Sequence, residues 1–201
     1  MRFTTPQLMS VLLFLLGVTN WFVIALVDPQ VDAQVTTVDA SQIHIDKTTG
    51  ERRYRNEVFT GTAVTRYPSG TLATSESFED GRRHGAFSMW FENGQIAYAS
   101  TYQRGRRSGV ASSWWDNGNR RSETYYVDDR PHGVAWHWYR TGEKYKRFSF
   151  DNGAPTGLQQ AWRLNGKLYS NFEYRNGRAY GLRNANLCVE LDDEVLPLPT
   201  T

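Results

Sequence analysis

The chain is poor in the groups that most often carry chemistry. It has one cysteine, Cys188, among 201 residues, and four histidines. A lone cysteine cannot close an internal disulfide, and it rules out a zinc site built on thiolates. Cys188 reads as a small buried hydrophobe, with cross-linking to another chain as the alternative. Only seven prolines are present. Long hydrophobic runs are nearly absent too: there is one, at the amino terminus, and the remainder alternates over short distances. What is abundant is aromatic side chains, 14% of the chain, and glycine, 17 residues. That combination points to β-structure with many turns.

Residues 11–27, VLLFLLGVTNWFVIALV, carry no charge, and Met9 with Ser10 extend the stretch to 19 residues. This is near the lower limit for a helix that spans a bilayer. The expectation is one N-terminal apolar helix in residues 1–27, either a retained signal anchor through 9–27 or a signal peptide cleaved near Ala33. A hydrophobic helix buried in a soluble domain is the third reading. Arg2 precedes the run, while Asp28 and Asp32 follow it. The positive-inside bias then puts the rest of the chain on the extracytoplasmic, periplasmic side, membrane-anchored or, after cleavage, free. No cysteine follows the run, which excludes the usual lipoprotein signal. Residues 28–50 are polar and read as a linker, with a short strand at Gln42 to Ile45.

Beyond residue 50 the sequence repeats. Gly61, Gly85, Gly109, Gly133, Gly157 and Gly181 fall 24 residues apart, as do Gly70, Gly94, Gly118, Gly142 and Gly166. The aromatics Tyr54, Phe78, Tyr102, Tyr126, Phe150 and Tyr174 keep the same interval. So do Trp90, Trp114, Trp138 and Trp162, with Arg66 standing in the first copy. Five copies run from Tyr54 to Glu173, and a half-copy ends near Gly181. Each copy holds two turn signals. One ends on Gly94, Gly118, Gly142 or Gly166; the other sits at Gly81, Gly105, Asp129, Gly153 or Gly177. Asn-Gly and Asp-Gly favour two-residue hairpin turns because they accept positive φ. The expected fold is all-β: an antiparallel meander of about 5.5 repeats spanning 51–183, open and twisted or rolled. The glycine four residues after each second turn marks a bulge or a close backbone approach.

The pattern F-x-x-G-x-x-x-G-x-x-x-x-W-F-x-x-G resembles the MORN repeat variant, known from bacterial exported and antitoxin-labelled proteins. The likeness covers residues 54–183. It implies a binding or scaffolding module, sometimes linked to membrane lipids. It also implies an antitoxin-like neutralising partner as a further alternative, which would need a chain that is not exported.

Two columns are candidate binding groups. Arg82, Arg106, Arg130 and Arg178 follow the same turn, and Arg83 and Arg107 extend the column in two copies. Residues 51–181 hold 20 basic against 13 acidic side chains, a net +7, while the flanks hold 3 against 8. Such a column suits a protein partner, anionic lipid or an envelope polymer. It equally suits plain protection of a sheet edge. Nucleic acid is not expected after export. The second column is Trp90, Trp114, Trp115, Trp138 and Trp162. These rings form either a stacked core or a platform with rings about 10 Å apart.

His84 and His132 share one repeat position, two repeats apart and too distant to hold one metal. No serine, histidine and acid fall at a catalytic spacing. Neither a catalytic residue nor a cofactor or metal is assigned, and the protein is read as a non-enzyme. Residues 184–201 form a tail, with Leu187, Val189 and Leu191 alternating as in a capping strand before an acidic end.

Overall fold

The computed structural model describes residues 36–182. The alternation of short apolar and polar residues, broken by paired turn signals, gives 17 strands. They are β1 (Thr37–Asp39), β2 (Ile43–Ile45), β3 (Arg52–Tyr54), β4 (Glu57–Val58), β5 (Gly61–Arg66) and β6 (Leu72–Glu79). Next come β7 (Arg82–Trp90), β8 (Ile96–Gln103), β9 (Arg106–Arg107), β10 (Gly109–Trp114), β11 (Arg120–Val127) and β12 (Arg130–Trp138). The last are β13 (Lys144–Asp151), β14 (Ala154–Pro155), β15 (Gly157–Trp162), β16 (Leu168–Arg175) and β17 (Arg178–Leu182). One sheet runs β1-β5-β6-β7-β8-β10-β11-β12-β13-β15-β16-β17, with β9 on β8 and β14 on β13, and a small sheet holds β2-β3-β4.

The expected fold class is corrected in two respects. The described residues contain no α-helix, only a 3-10 turn at Ala40–Gln42, so no apolar helix is among the described elements. Among them no helix is long and apolar enough to cross a membrane. The segment at 9–27, for which that helix was expected, lies outside the described residues, as do Cys188 and the tail at 184–201. Second, the sheet is mixed and not purely antiparallel. β1 runs parallel to β5, pairing Thr37 with Thr62 and Val38 with Ala63. A parallel pair needs a long crossover, and residues 40–60 provide it by folding into the small sheet. Residues 37–42, expected in a linker, are strand and turn, while the short strand expected at Gln42 to Ile45 is present as β2.

The two turn sets also differ. At Asp80-Gly81, Arg104-Gly105, Asp128-Asp129, Asn152-Gly153 and Asn176-Gly177 both residues have positive φ, as a type I′ hairpin turn requires. At the other edge only the glycine does, at Gly70, Gly94, Gly118, Gly142 and Gly166. There Phe91 and Gln95 close a longer loop, with the Phe91 amide donating to the Gln95 carbonyl at 2.8 Å. Asn93 stays at negative φ and uses its side-chain oxygen to accept from the Gln95 amide, 3.0 Å away. The side chain replaces the second left-handed residue. The extra loop residue is why the turns alternate at 13 and 11 residues.

Burial is concentrated at one end. Val38, Phe59, Ala63 and Phe78 form the core cluster, with Ala40, Ile43 and Tyr54 against it. From β7 onward the buried apolar residues, among those described, are Ala111, Ala135 and Ala161 alone. No second sheet of the described residues covers β8 to β17.

Candidate functional site: two faces of an open sheet

Side chains alternate between faces along a strand, so the ladder registers assign every column. Arg82 pairs with Glu79, Arg106 with Gln103, Arg130 with Val127 and Arg178 with Arg175. Following the alternation, Arg82, Arg106, Arg130 and Arg178 share a face with Trp90, Trp114, Trp138 and Trp162. The arginines lie beside the type I′ turns and the tryptophans beside the opposite edge. Between them, Val110, Val134 and Leu158 repeat at one position and are exposed, as is Tyr125 on the same face. One face thus carries a cationic margin, an aliphatic middle and an indole margin.

Arg83 and Arg107 do not extend that margin, because they point to the other face. Arg83 opposes Phe78 in the ladder, is paired with Glu76 and lies over the Tyr102 ring at 5.4 Å. Arg107 pairs with Asp129 at 3.2 Å and lies 4.2 Å from the Tyr126 ring centroid. The Arg107 amide also donates to the Asp129 carboxylate, which holds that acid below the usual carboxylate range; burial opposes this, and the Arg107 side chain adds to it. These two guanidiniums are committed to the fold. Arg82, Arg106, Arg130 and Arg178 remain exposed, and Arg130 reaches Asn152 at 3.3 Å.

None of the five candidate tryptophans is fully buried; all are intermediate in exposure. Trp136, absent from the repeat columns, fills the gap between them. Its ring stacks on Trp138 at 6.3 Å and on Trp162 at 6.0 Å. Lys144 lies 5.0 Å over Trp136, and Arg120, paired with Glu123, lies 6.0 Å over Trp138. The sequence signal was the spacing Trp136-His137-Trp138, which puts two indoles on one side of β12.

Trp115 serves a different purpose, on the other face. Its indole N–H donates to the Trp138 carbonyl at 3.3 Å, one repeat ahead. Tyr67 does the same to the Trp90 carbonyl at 2.8 Å, and Tyr139 to the Trp162 carbonyl at 2.9 Å. At these three positions the residue after the tryptophan column therefore stitches adjacent repeats. At the opposite edge the turn amides of Gly81, Gly105, Asp129 and Gly153 donate back to the carbonyls of Phe59, Arg83, Arg107 and Pro131. These links leave the arginine and tryptophan columns held at fixed separations on one surface.

His84 pairs with Glu79 at 2.9 Å and His132 with Asp151 at 3.5 Å. Each sits on the same face as the arginine margin and belongs to an exposed turn-edge pair.

Comparisons with known proteins agree with the repeat and add no activity. The family model of the MORN repeat variant matches residues 83–104 and 107–128. No curated protein matches the chain. Among solved structures, a point mutant of S. aureus TarM in complex with fondaparinux, alpha-GlcNAc-glycerol and UDP is 15% identical over 55% of this chain and 21% of that one, with a TM-score of 0.33. A second TarM structure is 16% identical over the same shares, with a TM-score of 0.32. The accessory secretory protein 1, 2 and 3 structure from Streptococcus pneumoniae is 16% identical over 60% of this chain and 18% of that one, with a TM-score of 0.18. The chain spans about a fifth of these proteins, and superpositions this loose bear on neither fold nor function. Two consecutive copies of the repeat thus match the MORN repeat variant directly, and the same columns continue in the copies on either side.

Proposed function

We propose that the protein is a non-enzymatic repeat scaffold of the cell envelope that holds a protein partner on its arginine–tryptophan face. The observation that supports this is the exposed row Val110, Val134 and Leu158, set between the arginine and tryptophan columns with no second layer of the described residues over it. Apolar patches with charged rims are the usual signature of protein interfaces. The envelope location rests on the uncharged run at 11–27 and its flanking charges.

The test is photo-cross-linking from single positions in cells. A cross-linker at Val110 or Val134 gives an adduct of one defined mass, while one at Thr124, on the other face, does not. Equal adducts from both faces, or none from either, contradict the reading.

A second reading draws on the same margin: Arg82, Arg106, Arg130 and Arg178 meet an anionic lipid or polymer surface. Each charge near a membrane contributes about 1 kcal/mol. Flotation with anionic vesicles at low salt, lost at physiological salt and lost when Arg82, Arg106 and Arg130 become Gln, supports this reading. No flotation removes lipid as the ligand.

A further inference from the structure

On the arginine–tryptophan face the ladder sets a row of small side chains directly opposite one another. Val64 pairs with Ser75, Ser75 with Ser88, Ser88 with Ala99 and Ala99 with Ser112, across β5, β6, β7, β8 and β10. The next members of the row are Glu123 and Trp136, and the Trp136 indole ends it. What remains is a lane that crosses the strands for four spacings, about 19 Å.

One side of the lane is the column Arg66, Trp90 and Trp114. Each follows a register shift at the same place in its strand, so the three are presented alike, about 9.6 Å apart. Ala86 and Val110, both exposed, lie on the other side. Trp138 and Trp162 are stacked against Trp136. Trp90 and Trp114 are half-exposed and have no ring or cation partner among the described residues.

The floor holds unused donors. The hydroxyls of Ser75, Ser88 and Ser112 make no hydrogen bond among the described residues, although Ser112 is only 8% exposed. On the opposite face the hydroxyls of Thr65 and Thr74 satisfy each other, as do those of Ser113 and Ser122, both pairs at 2.7 Å. A covered hydroxyl without a partner is costly, and alternation along β10 directs that of Ser112 into the lane. The lane therefore suits a guest with free acceptors.

Period and charge narrow the guest. A polyproline II segment makes no internal hydrogen bonds, so its carbonyls are free, and it turns once every three residues, about 9.3 Å. That matches the spacing of Arg66, Trp90 and Trp114. A β-strand returns to the same face about every 6.7 Å and falls out of step, while an α-helix has its interior carbonyls already bonded. Proline rings dock in aromatic-lined grooves. A saccharide chain also stacks on indoles, yet its many hydroxyls need more polar partners than a row of serines supplies. Arg66 is exposed, donates to the Gly70 carbonyl at 3.1 Å and has no ion pair among the described residues. The Asp39 carboxylate is engaged with Ser41. Arg82 and Arg106 add positive charge beyond Ala86 and Val110, so an acidic guest is favoured.

We infer that this lane is a docking groove for a proline-rich segment of a partner protein in the polyproline II conformation, with prolines on Trp90 and Trp114 and an acidic residue on Arg66. It names the chemistry of the partner for the face already proposed as the partner surface and rests on that reading.

The test is titration of the full-length chain with an octaproline peptide carrying two glutamates at each end, followed by indole fluorescence and by calorimetry. The comparison peptides are the same octaproline flanked by lysines and a glycine–serine peptide of equal length flanked by glutamates. Saturable one-site binding of the acidic proline peptide alone is expected. Trp114→Leu weakens it about tenfold, and Arg66→Gln about threefold. Ser112→Ala weakens it about fivefold without lowering the urea midpoint, because the hydroxyl serves the guest and not the fold. Leu164→Ser, in an exposed turn far from the lane, changes nothing. Circular dichroism verifies that each variant is folded; if Trp114→Leu does not fold, Ser112→Ala and the peptide comparison carry the test. Absent saturable binding overturns the inference. So does equal affinity for either comparison peptide, affinity unchanged by Ser112→Ala, or binding of cellohexaose in place of the peptide. A defined cross-link from Val110 in cells together with no peptide binding would strike this inference and leave the partner reading standing.

Discussion

The two ends of the large sheet are built differently. At the amino-terminal end Phe59 is 3% exposed, its ring 5.7 Å from Phe78 and 6.1 Å from Tyr54. β1, the 3-10 turn and the small sheet close that end with ordinary hydrophobic packing. At the carboxyl-terminal end β17 is the last strand of the described sheet, and Tyr180 is 53% exposed. Between the ends, strand ladders and repeat-to-repeat hydrogen bonds hold the sheet, with small buried alanines in place of a core. Each repeat thus leans on its neighbours, as in other repeat proteins. The amino-terminal plug supplies the hydrophobic anchorage that the open copies lack.

The largest effect that separates the two ends is truncation of an aromatic ring. Phe59→Ala is expected to cost about 3–5 kcal/mol in urea unfolding. Phe172→Ala, at a half-buried position, should cost about half as much. Equal costs would erase the distinction. Next is Gly61→Ala. A Cβ there would stand 2.3 Å from the Thr36 carbonyl oxygen, at φ +151, and that oxygen accepts from the Thr62 amide at 2.9 Å. The backbone beside β1 must move, at a cost of about 3 kcal/mol. Gly109, in the same column at φ +96, has open space around the added atom. Its alanine variant carries backbone strain alone, about 1 kcal/mol.

The stitching bonds rank lower. Tyr139→Phe removes a single hydrogen bond to the Trp162 carbonyl and should cost about 1 kcal/mol. A loss near zero would mean that this bond does not couple the repeats. The smallest effect is pH-dependent. Because the folded protein keeps the His137 pKa below 6.5, the unfolded chain binds more protons just below that value. Stability contributed by neutral His137 is therefore complete above pH 6.5 and falls as pH drops below it. Urea midpoints at about pH 7.5 and about pH 5.5 should differ less in His137→Phe than in the parent.

The repeat, the strand order and the type I′ turns were legible because glycine and Asp/Asn positions are fixed by backbone geometry. The parallel β1 was not legible. A three-residue strand, Thr37–Asp39, carries too little pattern to reveal its partner, and its place depends on the contact of Val38 with a core far along the chain. The arginine column was visible as a column, but not the split that sends Arg83 and Arg107 to the other face. That split follows from alternation along β7 and β9 and from partners, Glu76 and Asp129, that lie in neighbouring parts of the sheet. The tryptophan column predicted rings about 10 Å apart; Trp136 closes that gap because it breaks the repeat.

The central claim is that stability is supplied from the plugged end and declines toward β17 while the faces stay open. Native-state hydrogen exchange, read strand by strand, tests it most directly. The account predicts the slowest exchange in β5 and β6 and progressively faster exchange through β15 to β17. Uniform protection across the sheet, or the slowest exchange in β16 and β17, would contradict it.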